Sequence, residues 1–155
     1  MNILDFLVPG SMALHYAATD SKDVIAHLGK LLLEAGYVRE TFVEAALDRE
    51  SRLPTGLPLS GDVNAAIPHT EVEHVLKPGL AMATLSAPVA FQNMVSPEEA
   101  VPCQLVFVMA LDQPKAQIEM LQEIAGVFQN PAIIERLMSA NDFEDMQTAL
   151  SKVHS

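Results

Sequence analysis

His69 is the residue whose setting most directly invites chemistry. It stands in "NAAIPHTEVEH", residues 64–74, directly behind a proline and ahead of acids. Pro68 fixes its own φ and biases Ile67 toward an extended conformation, so the backbone entering His69 is expected to be stiff and strand-like. A rigid histidine where a strand gives way to a loop can act as a nucleophile, a general base, a metal ligand or a packed, hydrogen-bonded residue. Near physiological pH a neutral imidazole has one nitrogen with a free lone pair, which can attack an electrophilic phosphorus and hold the group covalently. A phosphoryl carrier of this kind needs a cation or backbone donors against about two added negative charges. It also needs a partner for the second ring nitrogen and enough exposure for another protein to approach. Arg49 and the hydroxyl of Thr55 are the nearest candidates in sequence. On spacing alone, the carrier and the hydrogen-bonded strand-end histidine both remain open.

Other reactive side chains carry weaker signals. His74 follows His69 by five residues, and Glu71 and Glu73 lie between them. In an extended segment, residues an odd number apart face opposite sides, and the helical HExxH pattern is absent, so no metal site is expected. His15, His27 and His154 show no partner pattern and are expected to be structural or solvated. The single cysteine, Cys103, excludes an intramolecular disulfide and any multi-cysteine metal site. It falls within "VPCQLVFVMAL", where it is expected as a buried small hydrophobe. The eight methionines fall mostly on apolar stripes or strands and are expected to fill space.

The elements that must position these residues can be read from hydrophobic periodicity. After "ATDSKD", Asp20 can cap a helix with Asp23 in its first turn. Val24, Leu28, Leu31, Leu32 and Ala35 share one face of that helix, and Gly36 stops it. "MALHYA" before it reads as a short strand. "RETFVEAALDRES" after it reads as a second helix carrying Phe42, Ala46 and Leu47 and ending near Arg49 and Glu50. From Leu53 to Asp62, "LPTGLPLSGD" is rich in turn residues and reads as an ordered loop leading into the histidine strand. Two extended segments, "GLAMATLSA" and "PVAFQN", precede the run 103–111, whose continuous hydrophobicity fits a strand covered on both faces. Then Ile118, Leu121, Ile124, Ala125 and Phe128 make a helical stripe, and Asn130-Pro131 opens a short helix. Asn141 is placed to cap a last helix with Phe143, Met146, Leu150 and Val153 inward. The order of elements predicts an α/β fold in one domain, residues 1–155, with a mixed sheet and helices packed on it.

Composition narrows the function. A formal net charge of −11 opposes binding to nucleic acid or to an anionic membrane. The longest apolar run, "LVFVMAL", falls far short of the roughly 20 residues that a spanning helix needs. The opening "MNILDFLVPGSMALHY" has no basic leader and carries Asp5, so a cytoplasmic location is expected.

The set "RESRLPTGLPL", "NAAIPHT", "PGLAMATLSAPVAFQNM" and "LVFVMALDQPKAQIEMLQEI" resembles the fructose/mannitol-type IIA domain of the bacterial phosphoenolpyruvate-dependent sugar phosphotransferase system, most closely its galactitol-type members. The Ile-Pro-His motif is short, but in this order, with an Arg-Glu pair and a Thr-Gly upstream, the set is specific. The resemblance covers about residues 12–150. It implies a mixed sheet of about five strands with helices on both faces and no cofactor. It also implies a relay in which His69 accepts phosphate from the phosphocarrier protein HPr. His69 would then pass the group to a cysteine of a cognate IIB component, which serves a membrane IIC component; Cys103 is not that cysteine. By the same resemblance Arg49 would stabilise the charge of the phosphoryl group and Thr55 would donate a hydrogen bond to it; from sequence alone a helix-surface arginine paired with an acid and a threonine in a turn or N-cap role stay open. Gln117 stands where many members carry a second histidine, and its amide can still donate to phosphate or accept from a ring N–H. Thr70 after the histidine and the long loop from Thr55 to Ile67 lean toward the galactitol type. The surface around the histidine is expected to be apolar, to suit transient docking. A regulatory module of the same fold, whose phosphorylation switches affinity for a partner with no sugar modified, is the alternative; a metal-dependent hydrolase built on His69 and His74 would instead hold metal.

Overall fold

The computed structural model describes residues 1–154. Five strands form one mixed sheet: β1 (Leu7–Tyr16), β2 (Gly56–Leu57), β3 (Asn64–Ala66), β4 (Gly79–Gln92) and β5 (Ala100–Ala110). Their order across the sheet is β1-β4-β5-β3-β2. The pairs β1/β4 and β3/β5 are parallel, whereas β4/β5 and β2/β3 are antiparallel. Helices α1 (Ser21–Glu34) and α2 (Phe42–Arg52) follow β1, and α3 (Pro114–Phe128), α4 (Pro131–Ser139) and α5 (Phe143–Leu150) follow β5.

Each face of the sheet has its own core. Leu105, Phe107 and Met109 of β5 pack with Met120, Ile124, Leu137 and Met146 of the three C-terminal helices. Val106, Val108 and Ala110 pack with Val24, Leu28 and Phe42 of α1 and α2 on the other face. This alternation inside a continuous apolar run is what a strand sandwiched between two helical layers requires. Val101 and Cys103 lie with the even-numbered residues, because the β3/β5 register slips between Cys103 and Leu105. One extra residue turns the chain over, as a bulge does. Cys103 is fully buried, and burial pushes its thiol up to about 12.

Local signals account for most helix boundaries. The Asp20 side chain accepts from the Asp23 N–H, and Gly36 takes φ +82° just after α1. Asn130 caps α4 through the Ala132 and Ile133 N–H groups. Four expectations need correction. "GLAMATLSA" and "PVAFQN" form one strand, β4, because its pairing with β5 resumes at Val89 after an irregularity beyond Thr84. The loop 53–62 contains β2, a two-residue strand. The stripe on α3 is rotated: Ile118 is exposed, and Met120, Ile124, Val127 and Phe128 face the core. The cap of α5 is Asp142, which accepts from the Asp145 N–H, while Asn141 donates its own N–H to the Asp145 carboxylate.

Gly56 lets β2 approach β4 closely. A Cβ there would stand 2.6 Å from the Gln92 carbonyl oxygen and 3.1 Å from the Phe91 Cβ, whereas one at Gly10 would meet nothing within 4 Å. Gly56→Ala is therefore expected to lower stability in urea unfolding by about 1–3 kcal/mol, and Gly10→Ala to change it by less than about 0.5 kcal/mol. Equal effects would show that this backbone approach is not constrained.

Candidate functional site

The carboxyl ends of the parallel strands β3 and β5 lie side by side at one end of the sheet. Beyond β3, the Met109 N–H donates to the Pro68 carbonyl oxygen, and His69 forms a parallel bridge with Met109. The proline cannot donate to the ladder, but its carbonyl ties the segment to β5. The chain reaches α3 only a few residues after β5, so the first turn of α3 stands at the same end. The last turn of α2 brings Arg49 and Glu50 to it from the other side.

The hydrogen bonds of His69 define its protonation. Its Nδ1 lies 2.9 Å from the Ile67 carbonyl oxygen, and its Nε2 lies 3.2 Å from Arg49 Nη2. A carbonyl oxygen can only accept and a guanidinium can only donate. Nδ1 therefore carries the proton, and Nε2 presents its lone pair to an Arg49 N–H. The ring is half-buried, and its pKa is lowered from the ordinary 6.5, chiefly by desolvation and further by the Arg49 charge. The hydrogen bond to Ile67 and the charge of Glu71 oppose that shift without reversing it. The arrangement is a neutral imidazole with a directed lone pair beside a cation. Such a group can act as a nucleophile or as a base.

The other predicted residues reach this centre in different ways. Thr55 is 3% exposed. Its hydroxyl donates to the Glu50 carboxylate at 2.9 Å and accepts the Ile67 N–H at 3.2 Å, and its own N–H donates to Glu50 Oε2 at 2.7 Å. The hydrogen of this hydroxyl is thus directed at Glu50. Gln117 donates from Nε2 to the Thr70 carbonyl oxygen at 2.8 Å, fixing the residue that follows His69. Sequence reasoning missed Glu50 as a site residue. The only available signal was its place beside Arg49, because its partner is a threonine in the next loop. Burial raises the Glu50 pKa, against the lowering effects of its Thr55 hydrogen bonds and of the Arg49 charge. Arg49 Nε is buried and has no hydrogen-bond partner among the described residues.

The remaining histidines have other partners: His74 Nδ1 is 2.8 Å from the Thr41 hydroxyl, and His154 pairs with Glu123. His15 meets Asn141, and His27 stacks on Tyr16. Exposed apolar side chains flank the site in sequence: Leu53 just beyond α2, and Ile118 beside Gln117. No helix among the described residues is long and apolar enough to cross a membrane.

The lowered pKa of His69 gives a pH prediction. A histidine depressed in the folded state makes stability rise with pH between its folded value and 6.5, because the unfolded chain binds more protons there. In an NMR titration the His69 ring is expected to stay neutral below pH 6.5, and Arg49→Ala is expected to raise its midpoint. A wild-type midpoint above 6.5 would contradict this account of the site.

Comparison with known proteins identifies the family and the fold. The family model described as "Phosphoenolpyruvate-dependent sugar phosphotransferase system, EIIA 2" matches residues 6–153. The galactitol-specific EIIA component of Escherichia coli K12 is 30% identical over 120 residues, which cover 77% of this chain and 79% of that protein. The crystal structure of the mannitol IIA protein of Escherichia coli superposes with a TM-score of 0.77 at 28% identity, covering 93% of this chain and 98% of the other. In a complex from the same organism, mannitol enzyme IIA is bound to phosphorylated enzyme IIB; that match has a TM-score of 0.76 at 25% identity and covers 94% of this chain and 97% of the other. A nearly full-length family match, a relative covered over most of its length and the same five-stranded fold make this chain a member of the EIIA type 2 family of the phosphoenolpyruvate-dependent sugar phosphotransferase system.

Proposed function

We propose that this protein is a cytoplasmic phosphoryl relay, with His69 Nε2 as the atom that carries the phosphoryl group between phospho-HPr and a cysteine of a cognate IIB component. The observation that carries the reading is the pairing of that nitrogen's lone pair with an Arg49 N–H, while Nδ1–H is held by the Ile67 carbonyl. The galactitol-specific relative points to a polyol of that type as the transported substrate. The complex of a related IIA with a phosphorylated IIB supports a IIB protein as the acceptor.

In the first step the Nε2 lone pair attacks phosphorus as the donor's bond to phosphorus breaks, and the electron pair of that bond returns to the donor. Arg49 swings its donors from the ring to the phosphoryl oxygens. Its buried Nε–H is available for that bond. With Nε2 phosphorylated, the Nδ1–H still donates to Ile67, so the ring keeps its orientation. In the second step the thiolate of IIB attacks phosphorus, and the electrons of the P–N bond return to Nε2, restoring the resting state. Such transfer depends on positioning and charge stabilisation more than on further chemical groups. Thr55 acts through Glu50 and Ile67, and Gln117 holds the backbone behind His69.

Incubation with phosphoenolpyruvate, enzyme I and HPr is expected to add one phosphoryl group by intact-mass spectrometry, and none to His69→Ala. Equal labelling of the two would overturn the assignment. Arg49→Ala is expected to slow transfer about a hundredfold, the usual scale for losing a donor to a developing anion. Label that forms on His69 but never reaches the cognate IIB would favour the regulatory module.

A further inference from the structure

Ile67 lies one residue beyond β3, and its buried N–H needs a hydrogen-bond partner. The Thr55 hydroxyl supplies one, at 3.2 Å. That hydroxyl donates its own hydrogen to Glu50 at 2.9 Å, and the Glu50 carboxylate is fixed further by the Thr55 N–H at 2.7 Å. On its other side Ile67 presents the carbonyl that holds the His69 Nδ1–H, and the next carbonyl, that of Pro68, is held by Met109. The short segment Ile67–Pro68 is therefore gripped from α2, from β5 and by the ring it orients. A hydroxyl that donates to a carboxylate is polarised and becomes a better acceptor, so Glu50 strengthens the grip on Ile67 through Thr55.

We infer that Glu50 and Thr55 form a positioning relay that aims the Ile67 carbonyl at His69 and so keeps the imidazole proton on Nδ1 and the lone pair on Nε2. Free imidazole side chains carry their proton more often on Nε2, so this tautomer has to be enforced by an acceptor. Removing the relay leaves the Ile67–Pro68 segment held only from β5, through Pro68, and by the ring. Its carbonyl then drifts, and the proton divides between the two nitrogens. This inference rests on the relay reading of His69 for its functional consequence, although the tautomer itself is a property of the resting protein.

The test reads the ring directly, by two-bond 1H–15N spectra of the unphosphorylated, 15N-labelled protein at a pH where His69 is neutral. In the parent, the His69 Nδ1 shift is expected to be that of a protonated nitrogen and the Nε2 shift that of a bare one. Thr55→Val is expected to move the tautomer ratio roughly tenfold toward Nε2–H, the weight of one hydrogen bond, and Thr55→Ser to restore the parental pattern. Glu50→Gln keeps the shape of the side chain and is expected to move the ratio in the same direction as Thr55→Val; it decides the question if the valine variant does not fold. An unchanged tautomer in folded Thr55→Val or in Glu50→Gln would overturn the inference. Slower phosphoryl transfer with an unchanged tautomer would likewise overturn it, and would assign Thr55 to direct contact with phosphate. Because the spectra need no phosphoryl donor, failure of the relay reading shows separately, as absent labelling of the parent.

Discussion

The hydrogen bond from His69 Nδ1–H to the Ile67 carbonyl oxygen constrains everything around it. An imidazole nitrogen offers a lone pair only while the ring is neutral and the proton sits on the other nitrogen. Burial secures the first condition by disfavouring the imidazolium, and the Arg49 charge adds to it. The second depends on where one carbonyl points, and hence on the backbone from Ala66 to His69. Pro68 serves this purpose twice: it restricts Ile67 to extended geometry and leaves its own carbonyl free for Met109.

The sheet makes that geometry repeatable. β3 is only three residues long and could not hold a rigid loop by itself. It is wedged between β5, which is buried on both faces, and β2, whose two residues pair back onto it. The parallel β3/β5 pairing sends both chains out of the sheet at the same end, which puts His69 beside the start of α3 and Gln117 within reach of Thr70. An antiparallel pairing would have separated these groups by the length of the strand. The open, crevice-forming ends of parallel strands are where α/β sheets commonly build their sites.

Local chemistry was the legible part of the sequence. Asp20 before α1, Gly36 after it and Asn130-Pro131 before α4 act through partners a few residues away, and a single sequence displays such partners openly. The proline-locked histidine was legible for the same reason. Long-range choices were not. Asn141 and Asp142 can both cap a helix, and the chain selects Asp142 because the Asn141 N–H then meets the Asp145 carboxylate. On α3, Ile118 and Met120 are both apolar, and the packing against α4 and α5 decides which of them is buried. The pairing of Glu50 with Thr55 spans a chain reversal after α2, so no helical or strand periodicity announces it.

The adjacency of Arg49 and Glu50 carries a last physical consequence. Consecutive residues on a helix point about 100° apart, so the two charges cannot both face the histidine. The helix divides them: the guanidinium reaches Nε2, and the carboxylate turns to Thr55 and the backbone behind the ring. Were the carboxylate to face His69 directly, it would stabilise the imidazolium and remove the lone pair. It would also repel any anion approaching the ring, which the guanidinium attracts. Held one residue away and bonded to neutral donors, the same carboxylate steadies the backbone while its charge is satisfied locally. In a chain with a net charge of −11, that separation leaves a cation beside His69 Nε2.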